Sequence, residues 1–499
     1  MTSTDNSFTS AVFPLQTMDV PGGTETVLPG GRHLFPLLPA AFAGVHQIGV
    51  IGWGPQGRAQ ALNLRDSLTT STTGAGIRIT VGLRPGSASA PDARAHGFTE
   101  HDATLGDWLD VIASSDLVIL LIADAALAAH HQEIFAALRP GAAIGLSHGF
   151  LLGHLRATGG TFPHGHDVIA VCPKGMGDSV RRLYEQGDHV GGAGINASFA
   201  VHADHSGRAV DLALGWSVAL GSPYTFRTTL ASEYLSDIAG ERAILLGAVH
   251  GLVEALYGHY RLTGDDPVTA YERSCETLTG PIRQTISRSG LAAVRDRLDP
   301  GGRDTFDRAY TAAYGPAREL VAEIYDEVAD GTELRSVILA ERRLAGRPMS
   351  RISGSPMWAA GQTVRARRAD RAVDVEPFTA GLFVATMMAQ VDEFAERGHP
   401  WSEIVNESVI EAVDSLLPYM HARDVAYMVD NCSRTARLGA RRWGPRFQAA
   451  YEQIAFPAAT APADGDLVSA FTRHPVHQAL AAAAKLRPSV DISLPDAPR

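Results

Sequence analysis

The chain has 499 residues, of which 45% are hydrophobic and 19% charged, and its formal net charge is −11 at pH 7. This length allows two or three domains, and the composition is typical of a globular protein. The acidic balance excludes non-specific binding to nucleic acid, which requires a basic face. Because no uninterrupted apolar stretch approaches about 18 residues, the sequence also predicts no membrane span.

The N-terminal region carries few structural signals. Its first residues, MTSTDNSF, lack the apolar core of a signal peptide and the Arg-rich pattern of a transit peptide. Cys172, Cys275 and Cys432 are widely spaced and form no CxxC pair, which indicates a reducing compartment. We therefore expect a cytoplasmic protein. Residues 1–44 show no long periodicity, and we expect residues 30–42 to pack as an arm on the domain that follows.

A glycine-rich loop follows the first predicted strand, which runs from Ile48 to Ile51. The sequence QIGVIGWGPQGRAQALNLRDSL places a G-x-G-x-x-G pattern between this strand and a helical pattern. Such glycines allow a tight turn and a close approach of the backbone to a pyrophosphate, which then binds free N–H groups at the helix N-terminus. In this context we predict a dinucleotide site rather than a mere tight turn. Its loop residues are Gly52, Gly54, Pro55, Gln56 and Gly57.

The residues after the second predicted strand (77–84) indicate which dinucleotide binds. Sites that prefer NAD usually end this strand with Asp or Glu, which binds the ribose 2′-hydroxyl. Here the strand ends in Arg84, and Ser87 and Ser89 follow. A cation with two hydroxyls suits a 2′-phosphate, so we predict NADPH rather than NADH. The alternative is a surface turn with an incidental arginine.

Three further strand-and-loop segments complete the predicted parallel sheet. Residues 115–126 contain a continuous apolar run whose carboxyl end, near Asp124, should border the cofactor. The loops after the next two strands carry His148 and Lys174. A lone histidine in a loop is more often structural. Two polar loops that open at the same sheet edge as the glycine loop favour a functional site.

From about residue 229 the pattern changes to long helices, and four acidic residues stand out. Asp237 and Glu241 are four residues apart, as are Glu407 and Glu411, so each pair lies on one helix face. If the two helices face each other, the four carboxylates form an oxygen-only cage that suits Mg²⁺ or Mn²⁺ rather than zinc. Taken alone, the spacing also fits two solvated helix faces.

The helical region contains a weak internal repeat. Residues 263–286 align with residues 397–420 when Gly264 is placed over Gly398. This indicates a duplication in which each copy kept one half of the acidic site; the alternative is two unrelated amphipathic helices. We expect an N-terminal arm and α/β domain over 1–228, a first helical repeat over 229–370, and a second repeat with a tail over 371–499.

Ser433 follows an Asn-Cys pair and precedes a basic helical stretch. The default role of such a serine is to cap the helix N-terminus. Its hydroxyl could also donate a hydrogen bond to a bound acid, and the sequence leaves both roles open.

Several long segments carry a family resemblance. They include GWGPQGRAQALNLRDSL, LSHGFLLGHL, VIAVCPKGMG, SDIAGERAILLGAVHG and SEIVNESVIEAVDSLLPYMHARDVAYMVDNCSRTARLG. Together they closely resemble ketol-acid reductoisomerase (acetohydroxyacid isomeroreductase) in its long, plant-type form. The likeness extends from about Gly31 to Ser493. It implies a Rossmann-like α/β domain followed by an all-α, knotted, internally duplicated C-terminal domain.

The resemblance also implies roles for the candidate residues. Two Mg²⁺ ions would be held by Asp237, Glu241, Glu407 and Glu411, with Asp237 between them. His148 and Lys174 would form a polar pair near the nicotinamide and the metal, and Ser433 would bind the substrate carboxylate. The glycine loop would hold NADPH together with Arg84, Ser87 and Ser89.

The implied substrate is a small 2-hydroxy-2-alkyl-3-oxo acid, either 2-acetolactate or 2-aceto-2-hydroxybutyrate. An alkyl group migrates between adjacent carbons, and NADPH reduces the new ketone to a 2,3-dihydroxy-3-methyl acid, a step in valine and isoleucine biosynthesis. Migration needs a deprotonated hydroxyl and a polarised carbonyl, which two divalent ions can provide. We expect Glu411 or Glu241 to shuttle the proton, and we expect a homo-oligomer.

The sequence departs from the family pattern at three positions. Pro55 replaces a small Ser and removes one N–H donor to phosphate, Asp178 stands where Pro commonly follows KGMG, and Leu417 replaces an Asn. The departures at Asp178 and Leu417 leave a paralogue that acts on another ketol acid as an alternative. A non-catalytic NADPH-binding protein and a simple hydroxyacid dehydrogenase are further alternatives, and neither needs four acids.

Overall fold

The computed structural model describes residues 6–70, 76–190, 193–344, 346–369 and 372–487. These residues form two compact units. The sheet unit extends to Tyr234 and includes the described residues from Ala483 onward, and the helical unit extends from Leu235 to Ala482. Within the described residues, no helix is long and apolar enough to span a bilayer. The predicted boundaries at 228/229 and 370/371 stay predictions.

The sheet unit is built on ten strands in the order β1-β2-β10-β9-β8-β7-β6-β3-β4-β5. The strands are β1 Gln16–Val20, β2 Gly23–Pro29, β3 Gln47–Ile51, β4 Arg78–Leu83, β5 Leu105–Asp107, β6 Leu117–Leu120, β7 Ala143–Leu146, β8 Val168–Pro173, β9 Ala197–Ala203 and β10 Tyr224–Arg227. Strands β3 to β8 pair in parallel, and β8 pairs with β9 antiparallel.

The chain order reverses between β3 and β6, which are hydrogen-bonded neighbours. From β3 the chain runs outward through β4 and β5, and then returns to the other side of β3 with β6. All residues of β3 are buried, as expected for a parallel strand covered on both faces. A crevice at the carboxyl ends of the strands on either side of such a switch point is the usual place for a ligand.

Strands β1 and β2 form a hairpin that the sequence analysis did not predict. They pair antiparallel, and β2 continues the sheet by pairing with β10, so that Thr225 lies opposite Leu28. Val27 and Leu28 are fully buried, whereas most of β1 is polar. The hairpin is therefore joined to the sheet by the pairing of β2 with β10, a strand about 200 residues further along the chain. Short local periodicity could not report that pairing.

Eight helices accompany the strands in the described part of the sheet unit. They are α1 Leu38–Ala41, α2 Pro55–Thr70, α3 Ala90–Ala95, α4 Trp108–Ser114, α5 Asp124–Ala137, α6 Phe150–Thr158, α7 Gly177–Gln186 and α8 Ala209–Ala219, with a 3₁₀ turn at Arg32–Leu37. Helix α9, Leu230–Arg242, follows them.

The remaining elements are all helical. The α-helices are α10 Gly247–Leu262, α11 Pro267–Tyr271, α12 Arg283–Ser289, α13 Ala292–Asp296, α14 Pro300–Ala329, α15 Thr332–Leu344, α16 Pro356–Arg367, α17 Pro377–Glu396, α18 Trp401–Val405, α19 Leu417–Arg423, α20 Val425–Asn431, α21 Arg434–Ala450, α22 Phe456–Ala458, α23 Gly465–Thr472 and α24 Val476–Leu486. Five π-helical segments interrupt them, at Glu272–Glu276, Leu278–Ile282, Asn406–Ile410, Ala412–Leu416 and Tyr451–Ala455. The predicted fold class, an α/β domain followed by a helical one, is confirmed.

The helical unit repeats one succession of elements in the register that the sequence predicted. Gly264 and Gly398 both have positive φ, and each is followed by a short α-helix, two π-helical segments and a further α-helix. Gly290 and Asp424 end these copies with φ of 82° and 88°. Equivalent positions are separated by the same number of residues throughout, so the elements coincide in the predicted register. The knot that the resemblance implies stays a prediction.

Candidate active site

The glycine loop lies between the end of β3 and Pro55, the first residue of α2. Gly52 has a φ of +112°, and a Cβ at this position would lie 2.5 Å from the carbonyl oxygen of Leu121. A Cβ at Gly57 would lie 2.5 Å from the oxygen of Gly52, so helix and strand pack too closely for a side chain. A Cβ at Gly54 would meet no atom within 4 Å. The loop therefore leaves open space where a pyrophosphate would approach, and its residues fit a dinucleotide.

Residues Pro55 and Gln56 also hold the loop that follows β8. The Gln56 side-chain amide donates a hydrogen bond of 2.8 Å to the carbonyl oxygen of Gly175. A Cβ at Gly177 would lie 2.1 Å from the Pro55 oxygen, so only glycine fits at that contact. The side chain of Gln56, which we predicted to bind cofactor, is thus engaged in fastening the loop that carries Lys174. Pro55 sits at the helix start, where proline is well tolerated.

Asp178, one of the departures from the family pattern, pairs with Arg58. Their Oδ1 and Nη2 atoms are 2.6 Å apart, and both side chains are about one-third exposed. Arg58 lies in the first turn of α2, just after the glycine loop, and Asp178 lies in the first turn of α7. The Arg58 Nη1 atom is also 3.9 Å from Asp92. The ion pair therefore makes a second link between the glycine loop and the loop after β8.

The predicted 2′-phosphate site lies directly after β4. Arg84 is exposed at the carboxyl end of that strand, and its carbonyl oxygen accepts a hydrogen bond from the Ser87 N–H at 3.1 Å. The Ser87 hydroxyl oxygen accepts one from the Ser89 N–H at 3.3 Å. Asp124, the other predicted cofactor residue, begins α5 beyond the carboxyl end of β6. The turn thus presents a cation and two hydroxyls at the sheet edge of the glycine loop.

His148 and Lys174 lie in the two predicted loops and share Glu233 as a partner. The Lys174 Nζ atom is 3.7 Å from Glu233 Oε1, and the His148 Nδ1 atom is 3.6 Å from Glu233 Oε2. The Gly149 N–H donates a hydrogen bond of 2.5 Å to Oε2. Burial raises the pKa of Glu233, but the charges of His148 and Lys174 and these hydrogen bonds outweigh it, and the net pKa is lowered. Glu233 is therefore a buried carboxylate between two candidate catalytic residues.

Sequence reasoning missed Glu233. The residue lies four positions before Asp237 on α9, so Glu233, Asp237 and Glu241 form one i, i+4, i+8 series. The predicted cage comprised only two acid pairs, one on each of two helices. Extending the same spacing by one step would have found it.

Three of the four predicted metal ligands converge in the helical unit. Asp237, Glu407 and Glu411 each offer a carboxylate oxygen, and these oxygens lie within 4.8 Å of one another. Glu407 is completely buried and Glu411 nearly so. Glu407 lies inside a π-helical segment and Glu411 between two of them. Such segments often occur at functional sites.

Glu241 lies beside this group of three rather than in it. Its Oε2 atom accepts a hydrogen bond of 2.9 Å from Arg242, and its Oε1 atom accepts a long one of 3.4 Å from the Ser433 hydroxyl. The Ser433 oxygen in turn accepts a hydrogen bond from the Ala436 N–H and caps α21. Burial, followed by the charges of Glu241, Glu411 and Asp237, raises the pKa of the Cys432 thiol to about 12. Three of the four predicted ligands, Asp237, Glu241 and Glu411, thus lie close enough to Cys432 to act on its thiol.

The donor set fits a hard divalent cation. Three carboxylates this close repel one another strongly unless a proton or a cation neutralises them. Oxygen ligands favour Mg²⁺, Mn²⁺ or Ca²⁺, whereas zinc sites use mainly Cys and His. The group of three contains only Asp and Glu. The residues present therefore fit the predicted magnesium site.

A glycine-rich loop at the switch point of a parallel sheet places the protein in the class of Rossmann-like dinucleotide-binding proteins. Residues 44–225 match the family model for the NADPH-binding domain of acetohydroxy acid isomeroreductase, and residues 230–370 match that for the C-terminal domain of ketol-acid reductoisomerase. The chain belongs to the ketol-acid reductoisomerase family and is an enzyme of branched-chain amino acid biosynthesis.

Two plant relatives extend the likeness to the whole chain. The chloroplastic ketol-acid reductoisomerase of Spinacia oleracea is 53% identical over 99% of this chain and 84% of its own length. That of Pisum sativum is 53% identical over 98% of this chain and 86% of its own length. A solved structure of an NADH-preferring ketol-acid reductoisomerase from an uncultured archean matches 64% of this chain and 94% of its own, with a TM-score of 0.54 and 22% identity, which supports the fold alone.

The prediction of a cytoplasmic protein is wrong by this comparison. Both plant relatives, at 53% identity, are chloroplastic proteins. The prediction relied on the lack of a targeting pattern in MTSTDNSF. The first residues of a sequence are therefore a poor guide to the compartment.

Proposed function

We propose that the enzyme converts 2-acetolactate or 2-aceto-2-hydroxybutyrate, with NADPH and two Mg²⁺ ions, into the corresponding 2,3-dihydroxy-3-methyl acid. The observation that carries this proposal is the convergence of Asp237, Glu407 and Glu411 within 4.8 Å. A simple hydroxyacid dehydrogenase has no need of such a group. Alkyl migration does, because it requires both an alkoxide and a polarised carbonyl.

Asp237, Glu407 and Glu411 would hold the ions, with Glu241 as the fourth ligand. When bound, Mg²⁺ supplies Lewis acidity that stabilises the alkoxide and polarises the neighbouring carbonyl. The tertiary hydroxyl must lose its proton before migration, and a carboxylate in the site must accept it. Because Glu241 is already shared between Arg242 and Ser433, we assign this proton transfer to Glu411.

Lys174 and His148 are the proposed catalytic residues of the reduction. The carboxylate of Glu233 between them favours the protonated, charged form of Lys174, despite the burial of its ammonium group. A charged lysine can donate a hydrogen bond or a proton to the oxygen that gains charge as hydride is transferred. The cofactor supplies the hydride, and the protein supplies alignment and charge.

Ser433 is the proposed ligand of the substrate carboxylate. Its hydroxyl lies at the N-terminus of α21, a 17-residue helix, and contacts Glu241. Free N–H groups and the helix dipole favour a carboxylate at such a position. The N-cap role and the binding role are therefore compatible.

NADPH is the proposed cofactor because the carboxyl end of β4 carries Arg84 rather than an acid. The loop residues Gly52, Gly54 and Gly57 would accept the pyrophosphate, and Arg84, Ser87 and Ser89 the 2′-phosphate. Asp124 would border the cofactor. The homo-oligomer and the two helical repeats with their boundaries stay part of this proposal.

Replacement of Glu411 tests the proposal. We expect Glu411→Gln to abolish isomerisation while NADPH still binds. The reason is that Glu411 belongs to the cluster of three acids with Asp237 and Glu407, and not to the glycine loop. Product formation and NADPH binding by fluorescence are the measurements. Asp392→Asn, which alters an acid hydrogen-bonded to Tyr314, is the control. Normal turnover by the Glu411 variant would remove this residue from the site.

A further inference from the structure

Arg242 is completely buried, and the proposed reaction gives it no role. We propose that it is a positioning residue: it holds one oxygen of Glu241 and weakens this carboxylate as a metal ligand, so that one divalent ion is bound less tightly than the other. The inference rests on the metal site of the proposed function. According to it, Arg242 and its partner Glu333 together control the affinity of the more weakly bound ion.

Arg242 is fixed from two sides. Its Nε atom donates a hydrogen bond of 2.8 Å to Glu333 Oε2, and its Nη1 atom donates one of 2.9 Å to Glu241 Oε2. Arg242 is 0% exposed and Glu333 1% exposed. A Cβ at Gly439 would lie 3.0 Å from the Arg242 Cζ atom, so a glycine in α21 makes room for the guanidinium. The arginine therefore has one orientation available.

Arg242 is one member of a row of alternating charges. Arg442 donates hydrogen bonds to Glu327 at 2.6 Å and to Glu333 at 2.5 Å, and Glu333 binds Arg242, which binds Glu241. The Trp443 indole N–H also donates to Glu333, at 2.9 Å. The row runs from a partly exposed end at Glu327 and Arg442 to Glu241. We name it the charge row.

The charge row has a direct consequence for a cation bound by Glu241. A guanidinium on Oε2 leaves only Oε1 for a metal and repels the dication, and this repulsion is strong where water is excluded. Glu333 acts in the opposite sense, because it attracts Arg242 away from Glu241. Arg242 and Glu333 together therefore determine how strongly Glu241 binds a metal ion. Removing the charge of an arginine from water costs free energy. The two carboxylate partners of Arg242 offset this desolvation cost.

The test is Mn²⁺ binding to the full-length protein, measured by the electron paramagnetic resonance signal of free Mn²⁺ without substrate or cofactor. We expect two classes of site in the unaltered protein. Arg242→Gln should tighten the weaker class about tenfold, because a repelling charge is removed. Glu333→Gln should loosen it, because Arg242 then turns its full charge on Glu241. Arg242→Lys keeps the charge and should keep an affinity near that of the unaltered protein.

Arg442→Gln provides a variant at the exposed end of the charge row. It leaves Glu333 free to attract Arg242 and should tighten the weaker class, by less than Arg242→Gln does. Arg446→Gln is the matched control: it removes the same charge one turn further along α21, where Arg446 pairs with Glu323 at 2.6 Å. We expect no change in Mn²⁺ affinity for this control.

Opposite shifts for Arg242→Gln and Glu333→Gln support the inference, since a merely structural role would not give opposite signs. Shifts in the same direction, or none in folded variants, overturn it. If either buried variant fails to fold by circular dichroism, Arg442→Gln against Arg446→Gln decides the question. Absence of Mn²⁺ binding by the unaltered protein would instead reject the metal site of the proposed function.

Discussion

The ammonium group of Lys174 lies 3.7 Å from the carboxylate of Glu233, and both side chains are almost completely buried. Glu233 also accepts the Gly149 N–H, so it joins the loops after β7 and β8. An ion pair in such a place is strongly coupled to the fold, because loss of one partner leaves a buried charge without compensation.

We therefore expect Glu233→Gln to lower both stability and activity. The free energy of unfolding should fall by about 3 kcal/mol, because Lys174 loses its charged partner in a buried site. Urea unfolding measures this change, and kcat for the reductive step should fall with it. The control is Glu185→Gln, which removes an exposed partner of Arg181 and should cost less than about 1 kcal/mol. Equal costs for the two variants would contradict the account of Glu233.

Arg84→Ala tests the cofactor preference. We expect the KM for NADPH to rise far more than the KM for NADH, because only NADPH carries the 2′-phosphate that a cation at this position would bind. Steady-state kinetics with each cofactor measure the ratio. Arg78→Ala, at the opposite end of β4, serves as a control and should leave the ratio unchanged. If Arg84→Ala affects both cofactors equally, this residue does not recognise the 2′-phosphate.

The Arg58–Asp178 pair should contribute to cofactor binding through the glycine loop. Because both side chains are partly exposed, we expect a coupling energy of no more than about 1 kcal/mol. Asp178→Ala and Arg58→Ala should each raise the KM for NADPH by up to about fivefold. The double variant should be no worse than the more affected single one. Additive effects in this double-mutant cycle would show that the pair does not act as a unit.

His421 predicts an acid-sensitive element of stability in the helical unit. Burial, together with the charges of Arg368, Arg283 and Arg365, lowers the pKa of His421 to about 3. The unfolded chain takes up this proton near pH 6.5, so acidification favours unfolding. Between pH 6.5 and pH 5 the linkage costs about 1.6 kcal/mol.

His421→Gln keeps a polar group near the Thr279 hydroxyl, which lies 3.1 Å from Nδ1 of the histidine. Over the same pH interval, we expect the free energy of unfolding of this variant to fall by about 1.6 kcal/mol less than that of the unaltered protein. Urea unfolding at several pH values measures the slope. His101→Gln, at an exposed histidine, should leave the slope unchanged. Parallel pH profiles for the His421 variant and the unaltered protein would refute the linkage.

Local patterns were sufficient for much of the fold and the site. The strand–glycine–helix succession, the two acid pairs and the register of Gly264 on Gly398 all depend on spacings within a few residues or on repetition along the chain. The structure places Asp237, Glu407 and Glu411 together, as the matching of the two pairs suggested.

What the sequence did not disclose depends on contacts between distant segments. Glu233 meets Gly149 across 84 positions, and Arg242 meets Glu333 across 91. Nothing in the neighbourhood of Glu333 marks it as a partner of the acidic site. The hairpin of β1 and β2 likewise depends on β10. Glu241 lies outside the group of three and accepts a hydrogen bond from Arg242, whose burial a sequence pattern cannot report.

The measurement that tests the central claim most directly is NADPH oxidation with 2-acetolactate, with and without Mg²⁺, combined with identification of the product. We predict oxidation that depends on Mg²⁺ and yields 2,3-dihydroxyisovalerate. Turnover that persists in EDTA would contradict a mechanism that uses metal ions bound by Asp237, Glu407 and Glu411. If 2-acetolactate is not converted while NADPH and Mg²⁺ still bind, the proposed substrate is wrong, and larger ketol acids should be assayed next.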